Sequence, residues 1–328
     1  MSLSAFGAPL HIEVYNKTLD EDIKNQIKST LTSLENEFST SIEGSAIYNI
    51  NNNVDFELSQ RFIKVFNLTK DYYEFSNKTF NPSVYPLNKL WHFDNQEKID
   101  EKDFIPPSNQ EINTILNSGV LDYSKITIEE NKISKQISDI QIDFGGVLKG
   151  YASKLILDLL IQKGYNEGYV SLGSSSISIM KVKSLAVRHP LNQDQTIMNI
   201  NCQNQVNVCV STSGDYEKFF NYNGVRYSHI IDTSTGKPTS TNVKSATIIS
   251  KDGAFADAMT TSLCLLEYNK TDAENCPLVL MMKKILEYDK DASIFVVYAE
   301  NDHKIIITNK KQDKDFALLD NNFIVKTI

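Results

Sequence analysis

The stretch Asp143-Phe144-Gly145-Gly146-Val147-Leu148-Lys149-Gly150-Tyr151-Ala152 separates two kinds of periodicity, and the fold class follows from that change. Before it, residues 126–142 hold two short alternating runs, ITIEE and ISKQISDIQID, which predict a hairpin. After it, Lys149 to Lys163 carries Ala152, Leu155, Ile156, Leu159 and Leu160 at helical spacing, with Gly164 where a helix-ending glycine belongs. An abrupt strand-to-helix junction is expected at 143–146. Working outward, alternating or apolar runs predict strands at 10–15, 168–172, 206–211, 226–232, 246–250, 292–298 and 304–308. Helical spacing predicts helices at 18–38, 59–75, 254–266 and 277–288, and the polar run 49–53 reads as a loop. The aromatic stripe of 59–75 is assigned to the core. Runs of strands with intervening helices favour an α+β fold over a regular βαβ alternation.

Composition narrows the function. With 328 residues, 41% hydrophobic and 23% charged, the chain has an ordinary soluble globular composition. Its length suits one large domain over residues 1–328, or two intimately packed subdomains. A net charge of −8 argues against sequence-independent nucleic-acid binding, which needs a basic face. It leaves room for a local basic pocket. The four cysteines, Cys202, Cys209, Cys264 and Cys276, form no CxxC pair and are expected to be scattered buried thiols. No apolar run approaches the ~18 residues needed to span a bilayer. Met1-Ser2-Leu3 looks like a cloning remnant, consistent with the loss of an upstream targeting segment.

Three constellations carry chemistry. At 143–152, two glycines let backbone approach a ligand closely, and the following helix N-terminus favours an anion. Lys149 adds a point charge for phosphate, and Asp143 offers an acceptor. In Tyr227-Ser228-His229-Ile230-Ile231-Asp232, His229 is expected in a strand just before a turn, where a neutral imidazole can act as general base for a hydroxyl nucleophile. In Ala256-Asp257-Ala258-Met259-Thr260-Thr261, Asp257 and Thr261 are four apart and share a helical face. One carboxylate and one hydroxyl suit an octahedral Mg²⁺ that keeps waters and phosphate oxygens. Taken alone, each feature is more often structural than functional.

Taken together they resemble the ApbE family, the FAD:protein FMN transferases once described as thiamine-biosynthesis lipoproteins. Asp143–Ala152 is similar to the family's D-[LF]-G-G-[IV]-A-K-G-Y-A, and Thr212–Phe220 to T-S-G-D-Y-E-[RK]-F-F. Tyr227–Pro238 matches Y-S-H-I-[IL]-D-P-x-T-G-x-P with Thr233 in place of the proline, and Ala256–Thr261 matches A-D-A-x-x-T. Weaker echoes lie at 45–51, 80–87, 90–93 and 187–190, so the resemblance covers nearly the whole chain.

The resemblance implies largely antiparallel mixed sheets with packed helices and a flavin site at the junction of two halves. It implies FAD as substrate, its diphosphate bridged by Mg²⁺ held by Asp257, Thr261 and the carbonyl of Gly146. FAD contacts map onto Asp143, Lys149, Thr79, Phe80, Asn81 and the backbone around His229 and Ile230. His229 takes the family position that assists the acceptor hydroxyl. A Thr or Ser hydroxyl of a partner protein would attack the FMN phosphorus and AMP would depart; FAD hydrolysis, or flavin binding without catalysis, are the alternatives. Members are commonly lipid-anchored on the outer side of the membrane, so an envelope location is expected. Several positions depart from the pattern. Phe6 stands where a flavin-packing Met is usual, Ser41 where a Tyr is usual, Asn81 replaces an acid, and Leu172-Gly173-Ser174-Ser175 replaces Leu-Gly-Gly-[DN].

Overall fold

The apolar runs of the C-terminal third show little alternation because their strands are covered on both faces. In the computed structural model, which describes residues 2–15, 17–96 and 99–328, nine strands form one sheet. They are β1 (Ser2–Ala5), β2 (Ala8–Val14), β3 (Gly168–Leu172), β4 (Ser176–Lys181), β5 (Val206–Gly214), β6 (Val243–Ser250), β7 (Ser293–Glu300), β8 (His303–Thr308) and β9 (Ile324–Thr327). Their order across the sheet is their order in the chain. Every neighbouring pair is antiparallel except β8 with β9, which is parallel. The fold class is α+β, as expected.

Two compact units divide the chain. The first comprises Met1–Leu31, Val147–Tyr216 and Thr241–Ile328; the second comprises Thr32–Gly146 and Glu217–Ser240. In sequence, the second unit is thus two insertions, one between β2 and β3 and one between β5 and β6.

In the first unit, one face of the sheet contributes Ile179, Val210, Ile249, Phe295, Val297 and Ile306 to a core closed by Ile197, Met198, Ile200 and Phe316. Those last four belong to a three-stranded sheet of Phe316–Leu318, Thr196–Asn201 and Ser184–Arg188. The helix Gly253–Cys264 packs on β5 and β6 and is buried along almost all its length, so it shows no amphipathic stripe. All four cysteines are free and buried. Among the described residues, no helix is long and apolar enough to cross a membrane.

The second unit holds the helix Gln60–Phe75, capped by Ser59, whose hydroxyl accepts the Phe62 N–H at 3.0 Å. Its stripe of Phe62, Val65, Phe66, Thr69, Tyr72 and Tyr73 is buried, and Phe62 stacks against Phe38 and Phe144. The aromatics are core, as the spacing predicts. A second cluster of Leu87, Trp91, Phe104, Ile112, Phe220 and Ile231 lies beside the hairpin Phe219–Tyr222/Val225–Ser228.

Three local expectations are overturned. Residues 140–144 form no strand, although the helix does begin at Gly145, inside the expected junction. Their backbone is satisfied elsewhere: the Asn51 side chain accepts from Ile142 N–H (2.7 Å) and donates to Ile142 O (2.9 Å), and Asp143 N–H donates to Pro82 O (2.8 Å). The segment 49–53 is partly helical, because Ser45 caps a helix Ala46–Asn51 that buries Ile47 and Ile50. The run 226–232 breaks into Val225–Ser228 and Ile231–Asp232, with His229 and Ile230 between them.

Candidate active site

Asp257 is the centre of the first unit's polar site. It lies in the second turn of the helix Gly253–Cys264 and is 7% exposed. The helix dipole is answered not by Asp257 but by Asp252, which accepts the Phe255 N–H at 3.0 Å. Asp257 Oδ2 accepts the Gly150 N–H at 2.6 Å, and Oδ1 accepts the Ser176 hydroxyl at 2.8 Å. Burial pushes this carboxyl up, while Lys149, Ser211, Gly150 and Ser176 pull it down.

That arrangement depends on two glycines. A Cβ on Gly150 would stand 2.5 Å from the Gly253 carbonyl carbon and closer still to its oxygen. A Cβ on Gly253 would stand 2.9 Å from the Gly150 carbonyl carbon. Two helix backbones therefore meet without side chains between them, which brings the Gly150 N–H to the carboxylate. Gly150 and Ser211 lie in stretches the sequence reading singled out but were given no role of their own, and Ser176 escaped it. A serine in a strand carries no spacing signal, and the need for glycine at 150 arises only from the other helix.

Thr261 shares the helical face of Asp257, as predicted. Its hydroxyl donates to the Asp257 backbone carbonyl at 3.3 Å and lies 3.3 Å from Ser213 Oγ. The Lys149 ammonium forms no hydrogen bond or ion pair among the described residues. The Lys149 Cδ lies 3.7 Å from where a Gly173 Cβ would be. One hydroxyl here, Ser175 Oγ, is buried without a hydrogen-bond partner among the described residues. Buried polar atoms normally have one. A lone buried carboxylate, neutral hydroxyls and the orphaned Ser175 oxygen form an all-oxygen donor set that fits a hard divalent cation with its waters. Among the described residues, no group of three or more His, Cys, Asp or Glu side chains is gathered as a metal cage. Phe6 belongs to the two-residue turn joining β1 and β2, where Ala5 pairs with Ala8, and has φ +53°. It is half-buried there.

The second unit gathers a different set. Asp143 Oδ1 accepts the Gly145 N–H at 2.7 Å, at the start of the helix, and Oδ2 accepts from Asn88 Nδ2 at 3.3 Å. Burial raises its pKa against the pull of Gly145, Asn88 and the Lys218 ammonium, and Asp94 raises it further. A Cβ on Gly146 would lie 3.1 Å from Phe80 Cε2, a tight contact with that ring. Thr79 donates to Ser76 O at 2.8 Å. Asn81 Oδ1 accepts from Ser83 N–H (2.9 Å), and Nδ2 donates to Leu121 O (2.8 Å) and Thr233 Oγ1 (3.2 Å). Ser41 is exposed, its N–H donating to Ser39 Oγ at 3.1 Å.

His229 sits between the two short strands, its N–H donating to Lys218 O at 2.9 Å. Its Nδ1 lies 3.1 Å from the same carbonyl oxygen, which can only accept. The neutral ring therefore carries its proton on Nδ1 and its lone pair on Nε2. The ring of Phe93 meets it edge-on at 6.4 Å. The backbone of Ile230 is engaged within the protein: its N–H donates to Ser228 Oγ (3.3 Å) and its carbonyl accepts Thr239 N–H (2.7 Å).

These motifs can be set beside known proteins. The FAD:protein FMN transferase of Vibrio cholerae is 28% identical over 214 residues, covering 61% of this chain and 60% of that protein's length. The enzyme of the same description from Buchnera aphidicola subsp. Schizaphis graminum is 24% identical over 290 residues, 84% of this chain and 80% of its own. The crystal structure of the ApbE protein from Thermotoga maritima superposes with a TM-score of 0.75 at 25% identity, covering 91% of this chain and 93% of that one. The family model described as the ApbE family matches residues 6–274, most of the sequence and all of the glycine, histidine and aspartate motifs described above, and the chain belongs to that family.

Proposed function

We propose that this protein transfers FMN from FAD to a Ser or Thr hydroxyl of an acceptor protein, releasing AMP, with Mg²⁺ as the activating ion. The observation that carries the reading is the buried Asp257 carboxylate, set among hydroxyls with Lys149 as the counter-charge. The name shared by the Vibrio and Buchnera relatives supports it. In the first unit, Asp257 and Thr261 would hold the ion, and Lys149 would face the diphosphate. Mg²⁺ would supply charge neutralisation on the phosphate oxygens. In the second unit, His229 Nε2 would take the acceptor's proton as its oxygen bonds to the FMN phosphorus. The phosphorus–oxygen bond to AMP breaks in the same step, and the leaving group carries the electron pair. Positioning and charge do most of this chemistry, because the transition state is loose.

Ser41 favours a second reading. An exposed hydroxyl cannot supply the flat apolar surface a flavin ring stacks on, so looser flavin seating would admit water and give FMN and AMP by hydrolysis. The test is to mix the protein with FAD and Mg²⁺, with and without acceptor proteins bearing an exposed Thr or Ser. AMP and in-gel flavin fluorescence are both followed. AMP with a fluorescent adduct supports transfer, and AMP with free FMN supports hydrolysis. No AMP under any condition, with FAD affinity equal in Mg²⁺ and EDTA, refutes both.

A further inference from the structure

Two departures from the family pattern touch each other. Asn81 stands where the family has an acid and Thr233 where it has a proline, and Asn81 Nδ2 donates to Thr233 Oγ1 at 3.2 Å. The same amide donates to Leu121 O at 2.8 Å, and its oxygen accepts Ser83 N–H at 2.9 Å. Both amide hydrogens and the amide oxygen are thus committed to protein partners, leaving little for a ligand. A carboxylate could make neither donation, and it would face the Leu121 carbonyl with like polarity. A proline at 233 would offer no hydroxyl.

Thr233 opens the turn of the small hairpin Ile231–Asp232/Lys237–Pro238, which directly follows His229 and Ile230. That hairpin is pinned at three other points. Gly236 N–H donates to Asp232 O (2.7 Å), Trp91 Nε1–H donates to Gly236 O (2.9 Å), and Thr239 N–H donates to Ile230 O (2.7 Å). At the other end, His229 hangs from Lys218 O through its backbone N–H and Nδ1. The 80–83 segment also holds the Asp143 backbone, whose N–H donates to Pro82 O at 2.8 Å.

We propose that Asn81 and Thr233 form a latch that positions the His229 hairpin relative to the Asp143 segment, making Asn81 a positioning residue and not a ligand contact. The inference rests on the role given to His229 under the proposed function. A displaced base loses rate without losing substrate, because misplacement spoils the attack geometry while the distant binding contacts remain.

The experiment compares Asn81→Asp, Thr233→Val and Thr233→Ser with the parent protein. Each is scored by FAD affinity, by AMP release at saturating FAD and Mg²⁺, and by the NMR titration of the His229 ring nitrogens. Asn81→Asp and Thr233→Val are expected to lower the saturated rate by about tenfold and to shift the His229 titration, with FAD affinity within about twofold. Thr233→Ser, which keeps the hydroxyl, is expected to restore both rate and titration. The latch is refuted if Thr233→Val matches Thr233→Ser in rate and His229 titration. It is also refuted if Asn81→Asp loses FAD affinity while the saturated rate holds, which would make Asn81 a ligand contact. Should His229→Gln leave the rate unchanged, the role of His229 fails, and the ring titration still reports whether the latch exists.

Discussion

Gly150→Ala isolates the helix contact on which Asp257 depends. The added Cβ would lie 2.5 Å from the Gly253 carbonyl carbon and 2.9 Å from Asp257 Cγ, where ordinary contact begins at 3.4 Å. None of these atoms belongs to a flexible side-chain end that could swing away. The two helices must separate, or the Gly150 N–H must leave the carboxylate it now meets at 2.6 Å. Overpacking of this kind costs about 1–3 kcal/mol. Leaving a buried carboxylate short of a donor adds about 1–3 kcal/mol more. The expected loss is therefore about 2–6 kcal/mol, read as a fall in the urea midpoint at unchanged slope. Magnesium-dependent FAD affinity, measured by calorimetry under conditions where the variant is folded, should fall with it, since the carboxylate loses its orientation. A variant within about 0.5 kcal/mol of the parent, the range of an inert surface change, with unchanged FAD affinity would refute the argument.

Asp257→Asn keeps an acceptor for Gly150 or Ser176 but removes the charge, so it should remain folded by circular dichroism and lose the difference between FAD affinity in Mg²⁺ and in EDTA. His229→Gln should retain FAD binding and lower acceptor flavinylation by about 10²–10⁴, the range for a general base; a rate within a few-fold of the parent would assign the chemistry to Lys149 and the ion. Ser174 holds φ +60° immediately after Gly173 at φ +67°, so Ser174→Gly should stabilise the protein by about 0.5–1 kcal/mol despite the entropy of glycine, measured by urea unfolding. Burial pushes the thiols of Cys202 to about 11 and Cys209 to about 12, from an ordinary value of 9.0. Because the unfolded thiols ionise first, the unfolded state binds fewer protons above about pH 8.5, and stability should fall as pH rises from there toward 11. Urea midpoints at pH 8, 9 and 10 would show it, and all four thiols should resist a disulfide reagent at pH 8 until the protein is unfolded.

The sequence by itself determined the elements whose periodicity is local. The helices Gln60–Phe75 and Pro277–Tyr288 and β3 lie where spacing puts them, because one buried face imposes a repeat that neighbours in the chain can display, and β8 lies where its continuous apolar run puts it. The pairing of Asp257 with Thr261 was legible for the same reason: a helix brings residues four apart onto one face. What the chain could not display was any requirement set by a distant segment. Residues 140–144 read as strand and are not, because their partners are Asn51 and Pro82 and not another strand. Gly150 read as one more glycine in a motif, yet its lack of a side chain matters because a helix some hundred residues later passes against it. Ser176 and Ser211 carry no local signal, and they bear on Asp257 only because β4 and β5 pair Ser176 with Ser211 beside it. Asn81 and Thr233 looked like two separate departures from a pattern, and only the tertiary structure made them one contact. Local sequence specifies repeats and charge; close approach, burial and hydrogen-bond partnership across long chain separations exist only once the chain has folded.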